Sequence, residues 1–213
     1  MTFRAPLPLA IVLVMSLALP LTGKERMFQM PALEAAAGYP AHDQHTMEKV
    51  TVAADPYDTS RKLDTFTLPL RTIRFLPILV VITNDNDQPI TMLNMHVELV
   101  IPHRMKLQPA EEEDIARRMA KIPRTQQNPF PIPLPRGKNP RQQLHDEYSD
   151  AIFKAKAVEP HATQGGFFFF DIAGISDPLA GASLIVSGLK DNDAKELFYF
   201  EVSLDKYLDQ RDR

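Results

Sequence analysis

Apolar and polar residues alternate with period two in several short stretches of this chain, and that pattern predicts strands. Glu48 to Ala53 alternates and is stopped by the turn formers Asp55-Pro56-Tyr57-Asp58. Phe75 to Thr83 is instead a continuous run rich in β-branched residues, and Pro77, which has no N–H, confines its start to an edge or a bulge. Asn84 to Pro89 supplies turn residues ahead of Ile90 to Ile101, so these two runs predict a β-hairpin. In the second run Leu93, Met95, Val97, Leu99 and Ile101 share one face, while Met92, Asn94, His96 and Glu98 share the other. One face is then core and the other wet. Gly166 to Ile172, Ala182 to Gly188 and Leu197 to Leu204 are three further strands, and Phe167 to Phe170 puts two rings on each face, as suits a strand covered on both sides. Strands and helices do not alternate along the chain, so the expected fold is all-β, an antiparallel sandwich.

Helical spacing is confined to the long break between the two strand groups. Pro109 to Lys121 predicts a helix with Pro109 in its first turn, acidic Glu111 to Asp114 at its start and Arg117, Arg118 and Lys121 at its end, a charge order that complements the helix dipole. Ile115 and Met119 give it a narrow apolar stripe. Arg141 to Phe153 predicts a second helix with Leu144, Tyr148 and Ile152 in line. Between them Pro129 to Pro135 alternates proline with Phe130, Ile132 and Leu134, which fixes an extended, polyproline-like strap. These three side chains have no local place to hide. Either they lid one end of the sandwich core or they dock a partner, and they are the candidate partner-binding residues.

The N-terminus carries the one strongly apolar run, Leu7 to Gly23, entered behind Arg4 and left through Lys24-Glu25-Arg26. A charged start, an apolar centre and small residues near its end have the form of an export signal. An uncleaved anchor is the alternative, weakened by Pro8 and Pro20 and by a length short of the roughly 20 residues a span needs. The expected organisation is a signal peptide at 1–23, a flexible lead-in at 24–46, a β-sandwich domain at 47–208 interrupted by an insertion at 109–156, and a charged tail at 209–213. The expected location is periplasmic or extracellular.

Composition narrows the chemistry. The absence of cysteine excludes disulfides, a lipid-modified cysteine, thiolate metal sites and cysteine nucleophiles. A formal charge of −3 with no basic cluster argues against nucleic acid as a partner. For copper, His103 and Met105 are the one imidazole and thioether pair sharing a local face; for calcium, Asp55 and Asp58 are the weak candidates. Asp85-Asn86-Asp87 and Asp191-Asn192-Asp193 begin like calcium loops but lack the glycine and glutamate those loops require, so they read as turns. His42 and His45 sit in the lead-in and read as solvated. Gly181-Ala182-Ser183 starts like a nucleophile elbow and lacks its closing glycine, which leaves Ser183 as a strand residue. No catalytic residue and no cofactor is expected.

Three stretches carry a resemblance: Ala53 to Asp58, Phe75 to Asn84, and Gly165-Gly166-Phe167-Phe168-Phe169-Phe170-Asp171. Together they resemble uncharacterised exported bacterial proteins with an immunoglobulin-like β-sandwich, over Val50 to Tyr207. The resemblance implies an immunoglobulin-like fold and brings no catalytic residues; the missing cysteine departs from its lipoprotein members. The expected function is a non-enzymatic binding or scaffolding protein of the cell envelope, partnered by an envelope protein and not inserted in the membrane. A metal or small-ligand carrier and an unrecognised hydrolase are the competing readings.

Overall fold

The computed structural model describes residues 27–102, 105–122 and 139–211. Its first sheet is built on the apolar run predicted at Phe75. Strand β3 (Phe75–Asn84) is buried at all ten positions, as a run apolar on both faces requires. It lies between β2 (Val50–Pro56) and β8 (Ala162–Asp171), with β1 (His42–His45) beyond β2, and every pairing is antiparallel. The second sheet has the order β10 (Phe200–Ser203), β9 (Ser183–Ser187), β5 (His96–Ile101), β6 (Met105–Leu107), again antiparallel throughout. A two-stranded patch joins β4 (Ile90–Thr91) to β7 (Ala157–Val158).

Two antiparallel sheets therefore dominate the described residues, an arrangement compatible with a β-sandwich. Val52, Ile78, Val80, Ile82 and Phe170 of the first sheet meet Leu99, Leu184, Val186 and Phe200 of the second in one buried cluster. The other face of the first sheet has a core of its own. There Leu79, Val81, Phe167 and Phe169 pack under short helices α1 (Ser60–Leu63) and α2 (Leu70–Ile73) and the longer α3 (Glu112–Met119) and α4 (Pro140–Ala151). Phe167 and Phe169 belong to this outer core, while Phe170 faces the inter-sheet core with Phe168 packed against its edge. The two-faced strand expected from the four phenylalanines is what forms. Rings of Tyr57, Phe66 and Phe28 meet Phe167 at 4.8, 5.0 and 6.1 Å, mostly edge to face, the geometry aromatic quadrupoles favour.

Several expectations are corrected. The hairpin between Phe75–Thr83 and Ile90–Ile101 does not form, because both edges of β3 are already taken by β2 and β8. Instead the side chain of Asn84, fully buried, turns the chain: its amide donates to the carbonyls of Gln88 and Val158 at 2.8 and 3.1 Å, and its oxygen accepts from the Asn86 N–H at 3.0 Å. The chain then crosses to the second sheet, and the predicted long strand is broken at residues 92–95. Alternation holds from His96 to Ile101, whereas Met92 is buried and Leu93 exposed, the reverse of the pattern.

The stretch 27–46, expected as a loose lead-in, supplies a 3-10 turn (Ala36–Gly38) and β1. Ala36 and Ala41 are fully buried, the Ala36 N–H donates to Thr83 Oγ1 at 2.8 Å, and Phe28, Met30, Leu33 and Tyr39 pack against the outer core, so the stretch is held along its length. Pro77 does not put β3 at an edge. Its carbonyl accepts from the Tyr57 N–H at 2.8 Å, and the reciprocal bond it cannot make falls where β2 ends. Pro109 stands outside α3, bridged to Phe170, and Glu111 caps the helix. Ile152 likewise leaves α4 to bridge Phe167. The expected tail at 209–213 begins inside helix α5 (Asp205–Arg211). Among the described residues no helix is long and apolar enough to cross a membrane.

Candidate functional site

Of the residues singled out by the sequence, Phe130, Ile132, Leu134 and His103 lie outside the described residues. Met105 opens β6, half exposed. Asp55 and Asp58 are brought to one place, where β2 runs into α1 and meets α5. A cleft of about 320 Å³ lies beside them, walled by Tyr39, Asp55, Thr59, Lys62, Tyr207 and Arg211.

Each carboxylate there already has a cationic partner. Lys62 Nζ lies 2.5 Å from Asp55 Oδ1, donates to the Pro56 carbonyl at 3.0 Å and sits 4.4 Å from the Tyr207 ring centre. Asp58 accepts from the Tyr207 hydroxyl at 2.6 Å and from the Arg211 guanidinium at 2.5 Å. Burial pushes the Asp55 carboxyl above its usual range, with Lys62 pulling it back down. Burial also raises the Tyr207 phenol, reinforced by its bond to Asp58. A divalent ion would have to displace both an ammonium and a guanidinium group, so this geometry works as a clasp holding α5 to β2 and α1.

The second cleft, about 380 Å³, lies between α3 and the ends of β3 and β8. Arg118 pairs with Asp171 across it and stacks over Phe75 at 5.6 Å, and Arg117 pairs with Asp114 at 3.3 Å. It too is a docking contact for a helix. Glu147 of α4, 5 % exposed, does a related job without a cation: its carboxylate accepts from the N–H groups of Thr67 and Leu68 at 3.0 and 3.2 Å and from the Thr67 hydroxyl. Burial raises its pKa, and these hydrogen bonds oppose the rise.

The acidic tripeptides are turns. Asp191 Oδ1 accepts from the N–H groups of Asp193 and Lys195, and Asp87 lies 3.0 Å from His161. Ser183 is a strand residue at the start of β9. His45 stacks on Phe200 at 4.0 Å between Glu48 and Asp43, at 2.7 and 3.4 Å. Among the described residues no three His, Asp or Glu side chains are grouped to hold a metal.

A few large apolar side chains also lie open to solvent. Met47 in the turn between β1 and β2 is 95 % exposed, and Phe198 and Tyr199, just ahead of β10, are 78 % and 58 % exposed. The Phe198 N–H donates to Glu48 Oε1 at 3.1 Å, which brings these two segments side by side at one end of the molecule. Sequence reading missed this patch, although a signal was present: Leu197-Phe198-Tyr199-Phe200 places four large apolar residues in a row, and a half-buried strand hides only every second one. Glu147 was legible in the same way, as an acid three residues after Leu144 and next to Tyr148 on the apolar side of a helix. The chain matches no protein-family model, and comparison with curated proteins gives no match.

Proposed function

We propose that this protein is an exported, non-enzymatic, immunoglobulin-like domain that binds another protein of the cell envelope. The observation that carries this reading is the contrast between its clefts and its end. The carboxylates of Asp55, Asp58, Asp171 and Glu147 are each engaged by a donor on another element or loop that they hold in place, which supports a structural role for them. At the end, Met47, Phe198 and Tyr199 hold large apolar surface in water with no internal use for it. Methionine and aromatic side chains are the types that anchor protein interfaces.

The Leu7 to Gly23 run supports export, and the Gly-Phe-Phe-Phe-Phe strand with its sheet partners supports the immunoglobulin-like reading. The test is affinity recovery from native envelope extract with the full chain and with its Met47→Ser, Phe198→Ser, Tyr199→Ser triple variant. The expected result is a protein partner recovered by the parent and lost by the variant, with both melting at the same temperature. Equal recovery by the two would remove the end patch from the function.

A further inference from the structure

Two sheet edges meet where β1, at the end of the first sheet, lies against β10, at the end of the second. Two carboxylates hold them together. Asp43 Oδ2 of β1 accepts from the Glu201 N–H at 2.9 Å, and Glu48 Oε1, in the turn after β1, accepts from the Phe198 N–H at 3.1 Å. The imidazole of His45 lies between these two acids. Its Nδ1 is 2.7 Å from Glu48 Oε2 and its Nε2 is 3.4 Å from Asp43 Oδ2, while the ring stacks on Phe200 at 4.0 Å with 20° between the planes. The stack fixes the plane of the ring, and each nitrogen has its own carboxylate oxygen.

A neutral imidazole has one N–H and one lone pair, so it satisfies one carboxylate and turns an electron pair on the other. An imidazolium donates to Glu48 and attracts Asp43 as well. Histidine is the side chain that makes this change near neutral pH. The closer contact, to Glu48, keeps the remaining proton on Nδ1. Asp43 Oδ2 then faces the lone pair of Nε2, and that oxygen is the one that holds the Glu201 N–H.

Other charged groups stand on the elements packed here. Lys49 follows Glu48, and its carbonyl accepts from the Asp85 N–H at 2.9 Å. Lys195 and Glu196, the latter bridged to Lys190, precede Phe198, and Glu201 exposes its own carboxylate. Lys206 of α5 reaches the His42 carbonyl at 3.5 Å, and His42 turns Nδ1 to the Tyr39 carbonyl at 2.6 Å. Among the described residues, the acids within ion-pair distance of the His45 ring are Asp43 and Glu48.

We infer that His45 is a protonation-dependent latch between the edges of the two sheets, closed when its ring carries two protons and loosened at Glu201 when it carries one. The latch holds most firmly at mildly acidic pH and slackens as pH rises. It ties together the segments that carry Met47, Phe198 and Tyr199, yet its test needs no partner, so its outcome is separate from that of the protein-binding reading.

Nitrogen NMR spectra of the ring in the full chain, recorded from about pH 5.5 to about pH 8, read the proton on each ring nitrogen. Nε2 is expected to lose its proton and Nδ1 to keep it. Over the same rise, amide exchange corrected for its intrinsic pH dependence should show the Glu201 N–H losing about fivefold in protection, while the Phe198 N–H changes by less than about twofold. His45→Phe keeps the ring stack without a titrating group and should hold Glu201 near its high-pH value at every pH. Asp43→Asn should abolish the pH response too, and it keeps the test open if the phenylalanine variant does not fold. A ring whose charge does not change across this range overturns the inference. So does Glu201 protection that does not follow the ring's proton, an equal loss at Phe198 and Glu201, or a pH response that survives in either variant.

Discussion

Glu147 is an acid placed where acids are expensive, and its surroundings explain why it is tolerated. Two backbone N–H groups and a hydroxyl from Thr67 and Leu68 point at its carboxylate, so the loop between α1 and α2 is pinned to α4 through one side chain. Removing it strands those buried donors. Glu147→Ala is expected to cost about 1–3 kcal/mol, lowering the melting temperature by several degrees, whereas Glu147→Gln keeps an acceptor and should cost less. The pH dependence has a definite sign. A carboxyl whose pKa is raised on folding favours the folded state most below its unfolded value, near 4.5, and that contribution is lost as pH rises through the raised folded value. The parent should therefore gain on Glu147→Gln as pH falls from 7 toward 5, and a gap in melting temperature that stays flat across that range would show that the carboxyl's ionisation is not coupled to folding.

Between elements, the outer edge of β8 is the informative place. An open strand edge invites pairing with other chains, and here it is covered from both sides of the helical stretch: the Ala110 N–H donates to the Phe169 carbonyl at 2.7 Å and the Phe153 N–H to the Phe167 carbonyl at 3.3 Å. Gly166 permits the second contact, because a β-carbon there would fall on the backbone of Phe153. Gly166→Ala should push residues 152–153 off the edge. The expected readout is faster hydrogen exchange at the Phe153 amide and a lower melting temperature; an Ala variant with parental exchange at that amide would show that the strand adjusts in another way.

This edge also shows what the sequence could and could not disclose. Strand identity was legible wherever burial imposed a period, as at Phe167 to Phe170 and at Val97 to Ile101. Strand order was not, because it depends on which edges are already occupied, and nothing near Asn84 reveals that β8 will claim the second edge of β3 from about eighty residues away. Met92 and Leu93 exchanged their expected faces for the same reason: a crossing between sheets obeys no local period. The clasp of Asp55, Asp58, Lys62 and Arg211 was half visible, as two acids by a proline with a lysine a few residues on, but Arg211 and Tyr207 come from the far end of the sequence and turn a weak metal candidate into a helix dock.

At the scale of the molecule, a cysteine-free chain has no disulfide to rely on, and its apolar burial is divided between two cores on opposite faces of the first sheet. The apolar run from Leu7 to Gly23 is proposed above as an export signal. In an exporting bacterial host the full chain is expected to be recovered outside the cytoplasm with a mass lacking residues up to about Gly23. Intact-mass measurement checks this, and a mass that retains Met1 would replace cleavage with anchoring.

The pairing of β3 with β8 governs how such a chain must come into being. Phe75 aligns with Asp171 and Asn84 with Ala162, so the central strand gains its second neighbour only after about eighty further residues have followed it. During synthesis, residues 75 to 84 emerge with one edge unsatisfied and with the face that meets Leu99, Leu184, Val186 and Phe200 still uncovered. Contacts this distant in sequence are slow to close, and the waiting species is the aggregation-prone one. Vectorial emergence thus leaves a sticky nascent half-sheet until the phenylalanines of β8 arrive.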